Sequence, residues 1–337
     1  MFILKVWKRL SEGYIGLVDE KTITFGPVPS RRLGRSLGIN NVPAKTCSYS
    51  CVYCQAGRTT DVTCERRTFF KPEDVATVVK QKIRKASLSN ETINYLTFVP
   101  EGEPTLDINL GKEIALLRKT GFRVAVLTNA SLIWRRDVRE DLQKADVVSL
   151  KVDAINENIW RKINRPRKDL RLDIILEGMT QFAKEFKGAI ITETMLIDNV
   201  NYEDEVDKIA EFLANLKKLN RAYIAVPTRP PTENWVTPPK EAAIIAAFQA
   251  FSKKLGIDRV EYLIGYEGNA FAFTGRVEED LLSITAVHPM REAAITEFLK
   301  KANADWDVVE RLLKEGKLVV LEYEGHRYYV RKLKLGE

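Results

Sequence analysis

Cys47-Ser48-Tyr49-Ser50-Cys51-Val52-Tyr53-Cys54 sets three thiols in the spacing C-x3-C-x2-C, just after the apolar run Leu37–Val42. Three thiolates so spaced wrap a compact loop around one face of a cubane. A [4Fe–4S] cluster held that way keeps one iron open, as a catalytic metal site does, whereas a purely electron-transferring cluster is usually closed by four cysteines. Zinc is the competing metal, but it needs a fourth soft ligand and no histidine lies near in the sequence. The fourth cysteine, Cys64, follows Cys54 by ten residues. It could close the site, although a small residue on a loop or strand edge is the favoured reading. Clustering of all four cysteines points to metal ligation in a reducing compartment rather than to a disulfide scaffold.

The chain around this motif has 337 residues, 2 histidines and a formal charge of +7. That length suggests about two domains with a large core. Both histidines, His288 and His326, fall in the last fifty residues, so histidine-based chemistry is excluded from the long N-terminal part and both read as structural. Residues 1–60 carry nine Lys/Arg against three acids, and residues 276–337 carry eleven against twelve. The basic excess therefore surrounds the cysteines, with a second basic run from Arg161 to Arg171. Such runs read as solvated surface or as attraction for an anion. The first residues lack a signal-peptide core, and no apolar run is long enough to span a bilayer. A cytoplasmic protein with no membrane contact is expected.

Working outward, short apolar runs alternate with helical patterns. Strands are expected at Leu37–Val42, Ile93–Val99, Arg123–Leu127, Val147–Val152, Ala189–Met195 and Ala222–Val226. Helices are expected at Pro72–Lys85, Leu110–Thr120, Asp173–Phe186 and Tyr202–Leu219. Repeated βα units imply a parallel sheet with right-handed crossovers, and six of them favour an α/β fold of the partial (β/α)6 TIM-type barrel kind, with the site on the loops after the strands. A proline-rich connection, Thr228–Pro239, leads into a helix at Lys240–Leu255, and Gly265–Gly275 reads as loop. Then come helices Pro289–Ala302 and Asp305–Glu315 and a hairpin, Leu318–Tyr323 with His326–Arg331, turning at Glu324-Gly325. The expected organisation is an N-terminal extension (1–35), the barrel with its linker (36–275) and a small winged-helix-like module (276–337). Residues around Trp7 and Tyr14 fit an extra β-hairpin on the barrel.

The C-x3-C-x-aromatic-C motif, with βα units behind it, strongly resembles the radical S-adenosylmethionine (radical SAM) superfamily. The resemblance covers roughly residues 20–230. It implies Cys47, Cys51 and Cys54 as ligands of a [4Fe–4S] cluster, with S-adenosylmethionine (SAM) on the open iron and Tyr53 beside the adenine. Reductive cleavage of SAM to a 5′-deoxyadenosyl radical, which takes hydrogen from a substrate, is the implied activity. A reducing partner such as ferredoxin or flavodoxin is implied with it. Gly102-Glu103-Pro104 resembles the family's GEP motif at the SAM amino group, with Glu101 in place of the usual preceding glycine. Thr128-Asn129 resembles a segment near SAM. Ser149, Lys151 and Asp153 alternate along one strand and so share a face. By resemblance they sit at the level of the SAM ribose and carboxylate, with Glu193 following the same logic.

A narrower resemblance runs over most of the chain. Gly26-Pro27-Val28-Pro29-Ser30-Arg31-Arg32-Leu33-Gly34-Arg35-Ser36-Leu37-Gly38, Cys54-Gln55-Ala56-Gly57-Arg58-Thr59 and the stretch Asp280–Met290 look like a radical SAM group of Fe–S oxidoreductases. It implies a mechanism and leaves the substrate unknown; the basic surroundings of the cysteines are compatible with an anionic substrate or a nucleic acid. Arg31, Arg32 and Arg35 suit recognition of carboxylate or phosphate. No GxxxxGK[ST] is present, so phosphate-loop chemistry is not supported. Two rivals remain: a tRNA-modifying radical SAM enzyme of the wyosine type, expected to carry a second cluster, and an Fe–S regulator whose C-terminal module binds DNA. That module's charge of −1 opposes strong phosphate-driven binding.

Overall fold

The protein is described by a computed structural model over residues 23–265 and 268–332. The hairpin expected around Trp7 and Tyr14 lies outside the described residues. Eight strands form one curled sheet: β1 (Thr24–Ser30), β2 (Gly34–Ile39), β3 (Tyr95–Phe98), β4 (Arg123–Thr128), β5 (Val147–Lys151), β6 (Ala189–Met195), β7 (Leu219–Ala225) and β8 (Val260–Leu263). They lie side by side in chain order. β1 is antiparallel to β2, and every later neighbour is parallel. Between the parallel strands run α1 (Pro72–Leu88), α2 (Leu110–Arg118), α3 (Arg136–Leu142), α4 (Glu157–Asn164), α5 (Leu172–Glu185), α6 (Glu205–Asn215) and α7 (Glu241–Leu255). This is the expected half-barrel class, with an extra strand at each edge.

The sequence dictates most of this locally. Pro72 opens α1 with its fixed φ, and Glu73 and Asp74 occupy the turn where the backbone N–H groups favour anions. Arg123-Val-Ala-Val-Leu-Thr128 is apolar on both faces because helices cover one side and the barrel interior the other. The main core packs the helices onto the outer face, with Leu37, Leu96, Val124, Val126 and Val148 fully buried there. A smaller cluster of Leu33, Ala125, Val147, Ile191, Tyr223 and Leu263 fills the inside. Burying each such aliphatic chain stabilises the fold by about 1.5–3 kcal/mol.

The C-terminal region adds α8 (Val277–Val287), β9 (Met290–Arg291), α9 (Glu292–Lys301), α10 (Asp307–Lys314), β10 (Leu318–Tyr323) and β11 (His326–Arg331). Its three strands pair in the order β9–β11–β10. Its apolar core includes Phe25 and Val28 from β1 alongside Leu281, Ile284, Ile295 and Phe298. A side chain at Gly38 on β2 would meet the Phe25 ring at 2.0 Å, so only glycine leaves room for that ring.

Three expectations need correction. The sheet begins before the boundary at Ser36, because β1 falls in the stretch read as an extension. β8 falls between the expected helix Lys240–Leu255 and the expected loop Gly265–Gly275, where no strand was expected; Val-Glu-Tyr-Leu is too short to announce itself. The helix expected from Pro289 starts at Glu292, because Met290 and Arg291 pair with Tyr329 and Tyr328. Among the described residues, no helix is long and apolar enough to cross a membrane.

Candidate functional site

The loops after the strands enclose one cavity of about 360 Å³. Cys47, Cys51 and Cys54 all open onto it, with Tyr53, Gly102, Lys151 and Glu193. Cys64 does not line it; that thiol lies near Arg167 and Asp169. Among the described residues, no three Cys, His, Asp or Glu side chains converge closely enough for a single metal ion.

The cysteine loop is laced to its neighbours by backbone bonds. Ser50 N–H donates to the carbonyls of Asn164 and Arg165, Val52 N–H to Ile163, and Arg167 N–H to Ser48. Glu233 N–H reaches Val52, and the Thr232 hydroxyl donates to the Cys54 carbonyl at 2.7 Å, so the proline-rich connection straps the loop from outside. On the other side Lys45 N–H donates to the Glu101 carbonyl and Glu103 N–H to that of Thr46. Gly102 lies between them. A Cβ there would fall 2.0 Å from the Thr46 oxygen, so this close approach admits no side chain.

Burial raises all three thiols. For Cys51 the rise is to about 12, by burial first and then by Cys54. Thiolates here therefore call for a positive metal centre beside them. Asn129 Nδ2 lies 3.5 Å from Cys47 Sγ, and Asn164 Nδ2 lies 3.6 Å from Cys51 Sγ. Both amides are oriented to donate.

Glu103 does not line the cavity. It is 1% exposed. Its Oε1 accepts from Thr105 N–H and from the hydroxyls of Thr105 and Thr128, and its Oε2 accepts from Asn129 N–H at 2.8 Å. Burial raises its pKa in spite of those donors. Pro104 starts the 3-10 turn behind it. Thr128, Pro104 and the buried Ser149 likewise stand behind the wall, not on it.

Lys151 Nζ sits 2.7 Å from Glu193 and 3.3 Å from Asp153, and 4.9 Å above the Tyr53 ring. Arg32 pairs with the other Glu193 oxygen. Burial alone would raise Glu193, but Arg32 and Lys151 hold it down at about 2. Tyr53 donates to Asp153, which is buried and also accepts from Met195 N–H and Asn164.

Several lining residues were not anticipated. Glu101, read as a departure from a motif, faces the cavity; burial raises its pKa to about 7, against the pull of Lys45. Its Oε2 lies 3.8 Å from Lys45 Nζ. His288, read as structural, lines the cavity too, with Arg229 and Gln55. A chain without barrel histidines thus receives one from its C-terminal module. Asn164 carried no signal, since it ends a helix hidden in a basic run.

The sequence profile of the radical SAM superfamily matches residues 41–224. A UPF0026 protein of Methanocaldococcus jannaschii is 52% identical over 314 residues, 93% of this chain and 97% of that one. A UPF0026 protein of Synechocystis sp. is 36% identical over 212 residues, 61% of this chain and 76% of that one. Among solved structures, a radical SAM methyltransferase from Sphaerobacter thermophilus superposes with a TM-score of 0.50 at 13% identity, covering 68% of this chain and 66% of that one. At that identity the likeness shows the fold alone.

Proposed function

This chain belongs to the radical SAM superfamily, and from that premise we propose that Cys47, Cys51 and Cys54 hold its [4Fe–4S] cluster with SAM beside them in the cavity. The observation that carries this is the opening of three thiols, and no fourth, onto one cavity that also holds paired acids and bases. When bound, the cofactors supply an electron and a 5′-deoxyadenosyl radical that abstracts a substrate hydrogen.

The remaining work belongs to the chain. Gly102 keeps the backbone of the motif close to the loop, which leaves its lining face open to a ligand. Glu101 is the cavity's acid without a hydrogen bond to Oε2 among the described residues. An ammonium beside it would draw it into the ionised form and satisfy that oxygen. Lys151 and Arg32, locked by Glu193, offer fixed positive charge to a carboxylate. Tyr53 is held by Asp153 and offers its face to a flat ring. Glu103 acts at one remove, by fixing Asn129 against Cys47. Phe25, Leu127, Met195, Val226 and Leu263 line the rest and exclude water from a reactive radical.

The substrate is a metabolite or macromolecular group small enough to reach this cavity. The wyosine-type reading loses support, because the one cysteine left over cannot ligate a second cluster. The C-terminal region, which we read as winged-helix-like, serves here as cavity wall.

Anaerobic reconstitution tests the proposal. About four irons per chain and reductant-dependent 5′-deoxyadenosine support it, and both should vanish in Cys51→Ala. A chain that takes up iron and never cleaves SAM would sink it.

A further inference from the structure

We propose that Asn164 is a positioning residue that sets the reduction potential of the cluster through its amide bond to Cys51; this rests on the reading of the site above. The side chain is 1% exposed. Its Nδ2 lies 3.6 Å from Cys51 Sγ, 2.8 Å from the Tyr53 hydroxyl and 2.7 Å from Asp153 Oδ2. The backbone leaves it little choice of place. Asn156 caps α4 by accepting from the N–H groups of Asn158 and Ile159, and Arg165 ends the helix in the left-handed region at φ 44°. The carbonyls of Ile163 and Asn164 then accept from Val52 and Ser50 on the cysteine loop. Backbone bonds tie helix end to loop, and the two amide hydrogens are shared among three acceptors, of which the Cys51 sulfur is one.

The chemistry follows from charge. Reduction adds one electron to a cluster whose thiolates already carry negative charge. An N–H donor at sulfur stabilises the reduced form more than the oxidised one, so it raises the potential. Asn129 makes the matching contact to Cys47 at 3.5 Å. Asn164 also satisfies Asp153, whose negative charge reaches Cys51. Loss of the amide removes a donor and leaves that carboxylate less compensated, and both effects lower the potential.

The experiment is an EPR-monitored redox titration of the anaerobically reconstituted full chain without SAM. Dithionite supplies the electron, and no bond is made or broken. Asn164→Leu keeps the approximate volume and loses the N–H. Its midpoint should move to more negative potential. A tenfold change in the reduced-to-oxidised ratio corresponds to about 59 mV for one electron. Asn164→His, which keeps a ring N–H, should recover most of the shift. A midpoint for Asn164→Leu equal to the parent's at full iron loading overturns the inference, as does an Asn164→His shift as large as that of the leucine variant. If Asn164→Leu takes up no iron, resonance Raman of the parent in H2O and D2O decides. A deuterium shift of the Fe–S stretches that shrinks in iron-loaded Asn164→His or Asn164→Ala supports the inference, and parent stretches indifferent to deuterium overturn it. A parent that assembles no cluster would sink the radical SAM reading itself, whereas a loaded parent indifferent to Asn164 sinks only this assignment.

Discussion

Arg229 donates to His288 Nε2 across 2.6 Å, and this contact ties the proline-rich connection to the end of α8. The same guanidinium reaches Gln55, the residue after Cys54, and Gln55 in turn donates to the Val287 carbonyl at 3.0 Å. Tyr328 and Tyr323 add hydroxyl bonds to the carbonyls of Thr228 and Pro227. Cluster loop, strap and C-terminal module therefore meet at one node on the cavity wall.

His288→Ala should loosen that node. The buried ring also packs edge-on against Phe271. Loss of both contacts should cost about 1–3 kcal/mol. In the reconstituted protein, cluster absorbance should bleach faster in air, because the wall admits oxygen. His288→Gln keeps an acceptor and should fall between. Equal bleaching in parent and alanine variant would show that the node does not guard the cavity.

Glu103→Gln separates two roles for one carboxylate. Every donor around Glu103 needs an acceptor, and a glutamine must turn its NH2 toward some of them. If Glu103 supports Asn129, the variant should lose about 1.5–3 kcal/mol of stability along with SAM affinity. A group that touched SAM alone would weaken SAM binding while leaving the denaturation midpoint in place.

Asp107 and Glu113 form a buried pair behind the same turn. Glu113 is fully buried, with the Asp107 carboxyl and the Asn41 amide as its polar neighbours. Burial first, then the Asp107 charge, raises Glu113, so it is protonated in the fold near neutral pH. Its folded pKa lies above the unfolded value of about 4.3. The associated stability is thus full below that value and falls as pH rises through the folded pKa. Glu113→Gln should remove this slope, so the stability of the variant relative to the parent should grow from pH 5 to pH 9. Denaturant curves at both ends test this, and a constant difference would refute it.

Cys64→Ser should leave iron content and SAM cleavage unchanged, because that thiol stands outside the cavity. Cys54→Ser should lose iron. Loss of iron in Cys64→Ser would make Cys64 a ligand after all.

The parallel strands and the three thiols were legible because each is a local pattern. Ala189–Met195 was read to the residue, and so were Leu318–Tyr323 and His326–Arg331. β1 and β8 escaped notice: the first is interrupted by glycine and prolines, and the second spans four residues. α3 and α4 are short and rich in charge, so their apolar stripe is thin. Within the site, alternation along β5 correctly joined Ser149 to Lys151, but depth is not a matter of period. Only the fold decides that Lys151 reaches the cavity and Ser149 stops behind it. Asn164 enters through Cys51, more than a hundred positions away, and His288 through Arg229, fifty-nine positions away, and no window of sequence holds such pairs.

The sharing of Phe25 and Val28 between the first strand and the C-terminal core has a practical consequence. A fragment ending near residue 275 would present those side chains to water, and exposed apolar strips of that kind associate. The two parts cannot be produced separately as well-behaved pieces. Exchange of C-terminal modules between relatives would succeed only if the first strand travelled with them, since the interface is written in both ends of the chain.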